Sequence, residues 1–293
     1  MYLWQEFRQP TSLREAIEDL QNSPIPVYPI AGGTDLLLEI RQGGKKPAHT
    51  LIDLTGVQEL SVIDEREGWL FIGACVPVNR IINSLLTQQH AQALIEACDL
   101  IAGPQVRNVA TLGGNVAHAL PAADGTIALT ALNAKTEIAS SIGMRMVSIS
   151  ELFGGPGKST IDRSSELITG FYIPYTIKTQ ASAFKRIMRP QGVALPILNC
   201  AVWLQRSHGL IEDVRIAIGP GGPTPFRATL AEEILREKPF NEEHFGKALQ
   251  AILDEAKFRT SPRRATLEYR RYEVSSLFKD TLNTAWERAV CKK

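Results

Sequence analysis

The sequence predicts an α+β fold in two unequal parts, and three observations carry that reading. Near the N-terminus the apolar run Ile25–Ile30 leads straight into Ala31-Gly32-Gly33-Thr34-Asp35, and a helix-forming stretch opens at Leu36. A second paired glycine, Thr111-Leu112-Gly113-Gly114-Asn115, follows two segments of helical apolar spacing and precedes a small-residue helix. Beyond about residue 178, three strand-like runs come before three helix-like ones, the pattern of a three-stranded antiparallel meander with helices. The expected domains are 1–177, with lobes of about 1–56 and 57–177, and 178–293.

Taken in order, Ser12 and Glu15 form a capping-box pattern after Pro10. Leu13, Ala16, Ile17 and Leu20 follow at helical spacing. Ile25–Ile30 is a strand, Leu36–Ile40 starts a helix and Thr50–Leu54 is the next strand, so the chain begins as a small α/β unit. Trp69–Ala74 reads as a strand, then Val78–Leu86 and Ala91–Ile101 as helices. Ala122–Leu132 is a helix with Asp124 in its first turn, where a carboxylate suits the positive end of the helix dipole. Ala134–Ala139, Arg145–Ile149 and Glu166–Ile173 are strands of a mixed second lobe. The meander is Ala183–Met188, Pro196–Leu204 and Val214–Ile218, and the closing helices are Ala228–Lys238, Glu243–Lys257 and Pro262–Lys279.

Paired glycines let the backbone take positive φ and bring bare N–H groups close to whatever lies above them. Successive N–H groups in such a turn make a nest for an anion, and a strand–glycine–helix order aims a helix N-terminus at it. Two such nests, each flanked by a hydroxyl and an amide or carboxylate side chain, suit a ligand with two linked phosphates.

Composition narrows the alternatives. The 293 residues are 44% hydrophobic and 22% charged, an ordinary globular balance with room for two cores. A net charge of +1 gives no reason to expect nucleic acid or an anionic membrane as partner. No apolar run approaches the ~18–20 residues that span a bilayer, and no signal peptide is visible, so the cytoplasm is expected. Cys75, Cys98, Cys200 and Cys291 are scattered, and the five histidines form no metal-spaced pair, so no metal site is expected. Each cysteine reads as a small buried hydrophobe or a free thiol.

Three motifs fail on inspection. Gly155-Pro156-Gly157-Lys158-Ser159-Thr160 resembles the end of a phosphate-binding P-loop, but Leu152 stands where its first glycine belongs. Gly219-Pro220-Gly221-Gly222-Pro223 is a proline-rich turn, and no G-x-G-x-x-G follows a strand. Arg259, Arg263, Arg264, Arg270 and Arg271 read as a solvated helix face, with a docking surface as the alternative.

Both glycine loops, in this order, belong to a longer pattern. It comprises Phe7-Pro10-Ser12-Leu13-Glu15-Ala16, Ala31–Leu37, Thr111–Ala117, Pro121–Asp124, Ala183–Arg186 and Tyr269–Arg271. Over nearly the whole chain the pattern resembles the FAD-binding medium subunit of the molybdenum hydroxylases, the xanthine and carbon monoxide dehydrogenase family. The resemblance implies a two-lobed FAD-binding domain of the PCMH type, related to vanillyl-alcohol oxidase, followed by a smaller C-terminal domain. It implies that Ile30, Ala31, Gly32, Gly33, Thr34, Asp35 and Leu36 form one cradle for the FAD diphosphate. Ala110, Thr111, Gly113, Gly114 and Asn115 would form the other. Asp124 matches an acid that contacts the adenosine half, Ile101 and Ile168 match apolar positions near the FAD, and Lys185 matches a lysine that tunes the flavin. The segment Met188–Leu195 lacks the aspartate or tyrosine that members often carry there.

In that family the chain is one subunit of three. A large molybdopterin subunit hydroxylates substrate, and a small subunit with 2Fe–2S clusters passes electrons to this FAD subunit. The heterotrimer, alone or dimerised, then reduces NAD, a quinone or oxygen. No acid–base or nucleophile set is legible, so no catalytic residue is assigned and the flavin supplies the redox chemistry. A self-sufficient FAD-dependent oxidase or reductase of the same fold is the alternative.

Overall fold

A computed structural model describes residues 2–190, 195–262 and 264–290. The first lobe runs β1 (Glu6–Arg8), α1 (Leu13–Asn22), β2 (Val27–Ile30), α2 (Leu36–Arg41) and β3 (Thr50–Asp53). Its strands pair in parallel in the order β1-β3-β2. Ser12 caps α1 by accepting from the Glu15 N–H, and Ala16, Ile17 and Leu20 turn inward as their spacing predicts.

The second lobe opens with β4 (Ile63–Arg66) and β5 (Trp69–Gly73). It continues through α3 (Val78–Ile82), α4 (Leu85–His90), α5 (Gln92–Asp99), α6 (Pro104–Arg107), α7 (Leu112–Ala117) and α8 (Asp124–Ala131). It closes with β6 (Lys135–Ser140), β7 (Gly143–Ser148), β8 (Phe153–Gly155), β9 (Lys158–Ser159) and β10 (Leu167–Pro174). The order β4-β5-β10-β6-β7 is antiparallel throughout. The single helix expected over Val78–Leu86 is two, because Ser84 starts a new one by accepting from the Thr87 N–H. The P-loop look-alike lies in the β8–β9 hairpin, with no helix after it.

The C-terminal part holds β11 (Gln180–Ile187), β12 (Leu198–Ser207), β13 (Leu210–Gly219), β14 (Phe226–Arg227), α9 (Thr229–Leu235), β15 (Lys238–Pro239), α10 (Glu242–Glu255) and α11 (Leu267–Arg288). The expected meander is there as β11-β12-β13, and both β14 and β15 add to β13. Two-residue strands show no alternation, which is why the pattern missed them. The last helix begins at Leu267, not Pro262, because Thr266 caps it.

Two features show how the parts join. Every residue of α8 is buried, so this helix has no polar stripe and must be enclosed on all sides. The continuous buried run Leu198–Leu204 in β12 likewise demands cover on both faces. Ala201 and Trp203 join the core around α5 and α8, whereas Cys200, Val202 and Leu204 pack in the core of α10 and α11. The C-terminal sheet is thus clamped between the second lobe and its own helices. Trp203→Ala is expected to cost about 3–5 kcal/mol, measured by urea unfolding.

Candidate functional site

The two glycine loops meet. A Cβ built on Gly32 would overlap the Val109 carbonyl oxygen and lie 2.9 Å from the Ala110 Cα, so only glycine lets the loops touch. Gly33 has φ +65, the left-handed turn expected there. Among the described residues, the amides of Gly32, Gly33, Thr34, Asp35 and Leu36 have no acceptor within the chain. They form a free row of donors at the start of α2.

The second loop works differently from the expected nest. Gly113 and Gly114 have ordinary negative φ and lie in the first turn of α7. Thr111 caps that helix by accepting from the Gly114 N–H at 3.1 Å. The Gly113 N–H donates to the Ala74 carbonyl at 3.0 Å, and a Cβ on Gly113 would fall 2.5 Å from that oxygen. Gly113 therefore serves close packing, whereas a Cβ on Gly114 would meet only Thr111 Oγ1. Among the described residues the buried Asn115 Oδ1 has no partner, an acceptor left over for a ligand hydroxyl.

Between the loops and the C-terminal sheet lies a cavity of about 660 Å³, within the range of cofactor pockets. Every site residue that the resemblance implied lines it except Lys185. Along β11, Ser182, Phe184 and Arg186 face the second lobe, so Lys185 lies on the opposite face with Ala183 and Ile187, toward the core of α10 and α11. Arg186 is the cation that β11 presents to the cavity. Nothing in its sequence neighbourhood distinguished it from Lys185. Of the Met188–Leu195 segment, residues 191–194 lie outside the described residues, as do Arg263 and Cys291.

Asp124 is more constrained than a helix cap. Its carboxylate accepts from Arg186 Nη1 at 2.6 Å and from Asn199 Nδ2 at 2.7 Å, and both side chains of the ion pair are 5% exposed. Burial raises the Asp124 pKa, while Arg186 and Asn199 pull against that rise. This network ties the first turn of α8 to β11 and β12 along the cavity wall. Ile101 is fixed by Arg107, whose Nη1 donates to the Ile101 and Ala102 carbonyls and pins Ala102 at φ +46. Cys75 also lines the cavity, and burial pushes its thiol up to about 12, which makes it a poor nucleophile.

The donor row, the orphan Asn115 oxygen and the apolar walls of Ile101, Val106 and Ile168 fit a ligand with a diphosphate, hydroxyls and flat rings. FAD has all three.

Comparison with known proteins agrees. The model for the FAD binding domain in molybdopterin dehydrogenase matches residues 5–176, and that for the CO dehydrogenase flavoprotein C-terminal domain matches residues 182–285. The chain is 31% identical to the xanthine dehydrogenase FAD-binding subunit of Escherichia coli O157:H7 over 97% of each chain. It is 30% identical to the carbon monoxide dehydrogenase medium chain of Hydrogenophaga pseudoflava over 97% of this chain and 98% of that one. A solved structure of carbon monoxide dehydrogenase from the same organism superposes with a TM-score of 0.92 at 29% identity, over 97% and 98% of the two chains.

The Asp124 network yields a pH-dependent expectation. A raised folded-state pKa means that Asp124 favours the fold at low pH and that this contribution fades as pH rises through the folded value. Arg186→Met removes the opposing charge and raises the Asp124 pKa further. The variant's deficit in thermal unfolding should therefore widen between about pH 4 and pH 8, toward roughly 3–5 kcal/mol, and adding Asp124→Asn should recover part of it. A pH-independent deficit would contradict the assignment.

With both halves matched and the cradle in place, the chain belongs to the FAD-binding medium-subunit family of the xanthine and CO dehydrogenase-type oxidoreductases.

Proposed function

We propose that the chain is the FAD-carrying electron-transfer subunit of a heterotrimeric molybdenum hydroxylase. It takes electrons from 2Fe–2S clusters on a small partner subunit and passes them to NAD, a quinone or oxygen. A large molybdopterin subunit carries the hydroxylation. The observation that carries the reading is the contact of the two glycine loops on one cavity wall with the amides of Gly32–Leu36 open. FAD, when bound, supplies the electron-accepting and electron-donating chemistry.

The chain's own residues bind and orient. The 32–36 amides hold phosphate oxygens, helped by the Thr34 hydroxyl. Asn115 accepts from a ligand hydroxyl, and Ile101 and Ile168 offer apolar surface to the rings. Asp124 has each oxygen engaged once, which leaves lone pairs for the adenosine half while Arg186 and Asn199 fix its direction. Lys185 is left out of this set by its place on the far face of β11.

We set the boundary between the FAD-binding domain and the C-terminal domain at 177/178, supported by separate sheets on either side. We place the complex in the cytoplasm, a reading supported by the free, buried state of Cys75, Cys98 and Cys200.

Gly114→Asp places a carboxylate in the cavity beside the phosphate donors. Its flavin content, read by visible absorbance, should fall about tenfold or more from the loss of charge-assisted contacts. Gly114→Ala adds only a Cβ at 3.2 Å from Thr111 Oγ1 and should keep its flavin. Full flavin in the aspartate variant would overturn the cradle.

A further inference from the structure

The shape of one cavity turn traces to an arginine outside the cavity. Ile101 and Ala102 line the cavity, whereas Arg107 is not among the lining residues, so it stands behind the turn. Its Nη1 donates to the Ile101 carbonyl at 3.2 Å and to the Ala102 carbonyl at 2.9 Å. One nitrogen thus holds two consecutive peptide oxygens. Nη2 lies 3.6 Å from Asp99 Oδ1, which links the end of α5 to α6.

In a trans peptide the C=O and the N–H point in opposite directions. Turning the Ile101 and Ala102 carbonyls toward Arg107 turns the amides of Ala102 and Gly103 the other way, to the cavity side. The Ile101 amide is used within the turn, donating to the Cys98 carbonyl at 3.1 Å. The amides of Ala102 and Gly103 have no acceptor among the described residues. Ala102 has φ +46, a left-handed conformation that alanine avoids, so contacts impose this turn against local preference. Hydrogen bonds from a charged donor are the strong ones, which suits Arg107 to impose it. Successive free amides in a turn make a concavity that favours negative charge.

We propose that Arg107 is a positioning residue for the flavin, aiming the Ala102 and Gly103 amides at acceptor atoms of the electron-carrying ring. The inference rests on the FAD reading, which sets Ile101 against the flat rings. Reduction adds negative charge to a flavin's ring nitrogens and oxygens, and fixed donors there favour the reduced form. Arg107 acts only through the backbone it holds. Its effect on the flavin's potential therefore comes from amide dipoles, with no side-chain charge brought against the ring.

The test compares the full-length wild-type chain with Arg107→Met, which keeps much of the side chain's bulk and removes every donor. FAD is titrated into each flavin-free chain by fluorescence, and the potential of the saturated chain is read against reference dyes. The variant is expected to bind FAD about tenfold more weakly, the worth of roughly one hydrogen bond. Its bound flavin is expected to have a more negative potential, because the reduced form loses its aimed donors. Hydrogen exchange at the 102 and 103 amides, followed in the same samples, should slow on adding FAD to the wild type and slow less in the variant.

A saturated variant with the wild-type potential overturns the proposal, and Arg107 is then only a brace between α5 and α6 that thermal unfolding would register. Equal exchange at 102 and 103 with and without FAD in the wild-type chain overturns it as well. That measurement needs no variant, so it decides the matter if Arg107→Met does not fold. A wild-type chain that takes up no FAD overturns the FAD reading itself, and with it the role given to Arg107.

Discussion

Everything in this molecule depends on a backbone contact between two distant loops. Gly32 lies against the Val109 carbonyl and Ala110, and Gly113 lies against Ala74, in each case too close for any side chain. These approaches are steric requirements, so they fix the loops' relative position more sharply than a flexible polar contact would. Holding the first loop against the second leaves its amides facing the cavity, because their intramolecular acceptors are absent by construction. A pre-formed row of donors does not have to be organised when a phosphate arrives, and that is its value to binding.

The second constraint is the seam between the lobes and the C-terminal sheet. It combines an apolar layer, α8 against Trp203 and Ala201, with a buried polar link, Asp124 to Arg186 and Asn199. Glu96 adds a further tie, accepting from the Phe184 N–H at 2.7 Å and from Arg288. A buried ion pair contributes little net stability, but breaking one side is costly, so such a link fixes geometry more than it adds free energy. Here it keeps the cavity's C-terminal wall in register with its glycine wall. The cavity is therefore a joint product of both domains.

Charge is distributed unevenly around that cavity. The glycine wall presents neutral amide dipoles, the seam carries a matched acid and base, and the wall from the C-terminal part carries Arg259, Arg264 and Arg270, which form no salt bridge among the described residues.

The sequence alone determined much of this protein, because the deciding signals were local. Apolar spacing located α1 and α5, a run of small residues located α8, strand-like apolar runs located the meander, and glycines after an apolar strand marked the first glycine loop. What it could not determine were the partners of each side chain. Gly113 looked like a nest residue but is a spacer against Ala74. Lys185 and Arg186 are neighbours in sequence, yet the two-residue period of β11 sends them to opposite faces, and only the packing of the sheet says which face is the cavity. Arg270 looked solvated because helical spacing cannot reveal that the β11–β12 end of the sheet covers that turn of α11. Local order follows from neighbours in the chain, and the tertiary structure alone decides which surfaces meet, because those contacts join residues far apart in sequence.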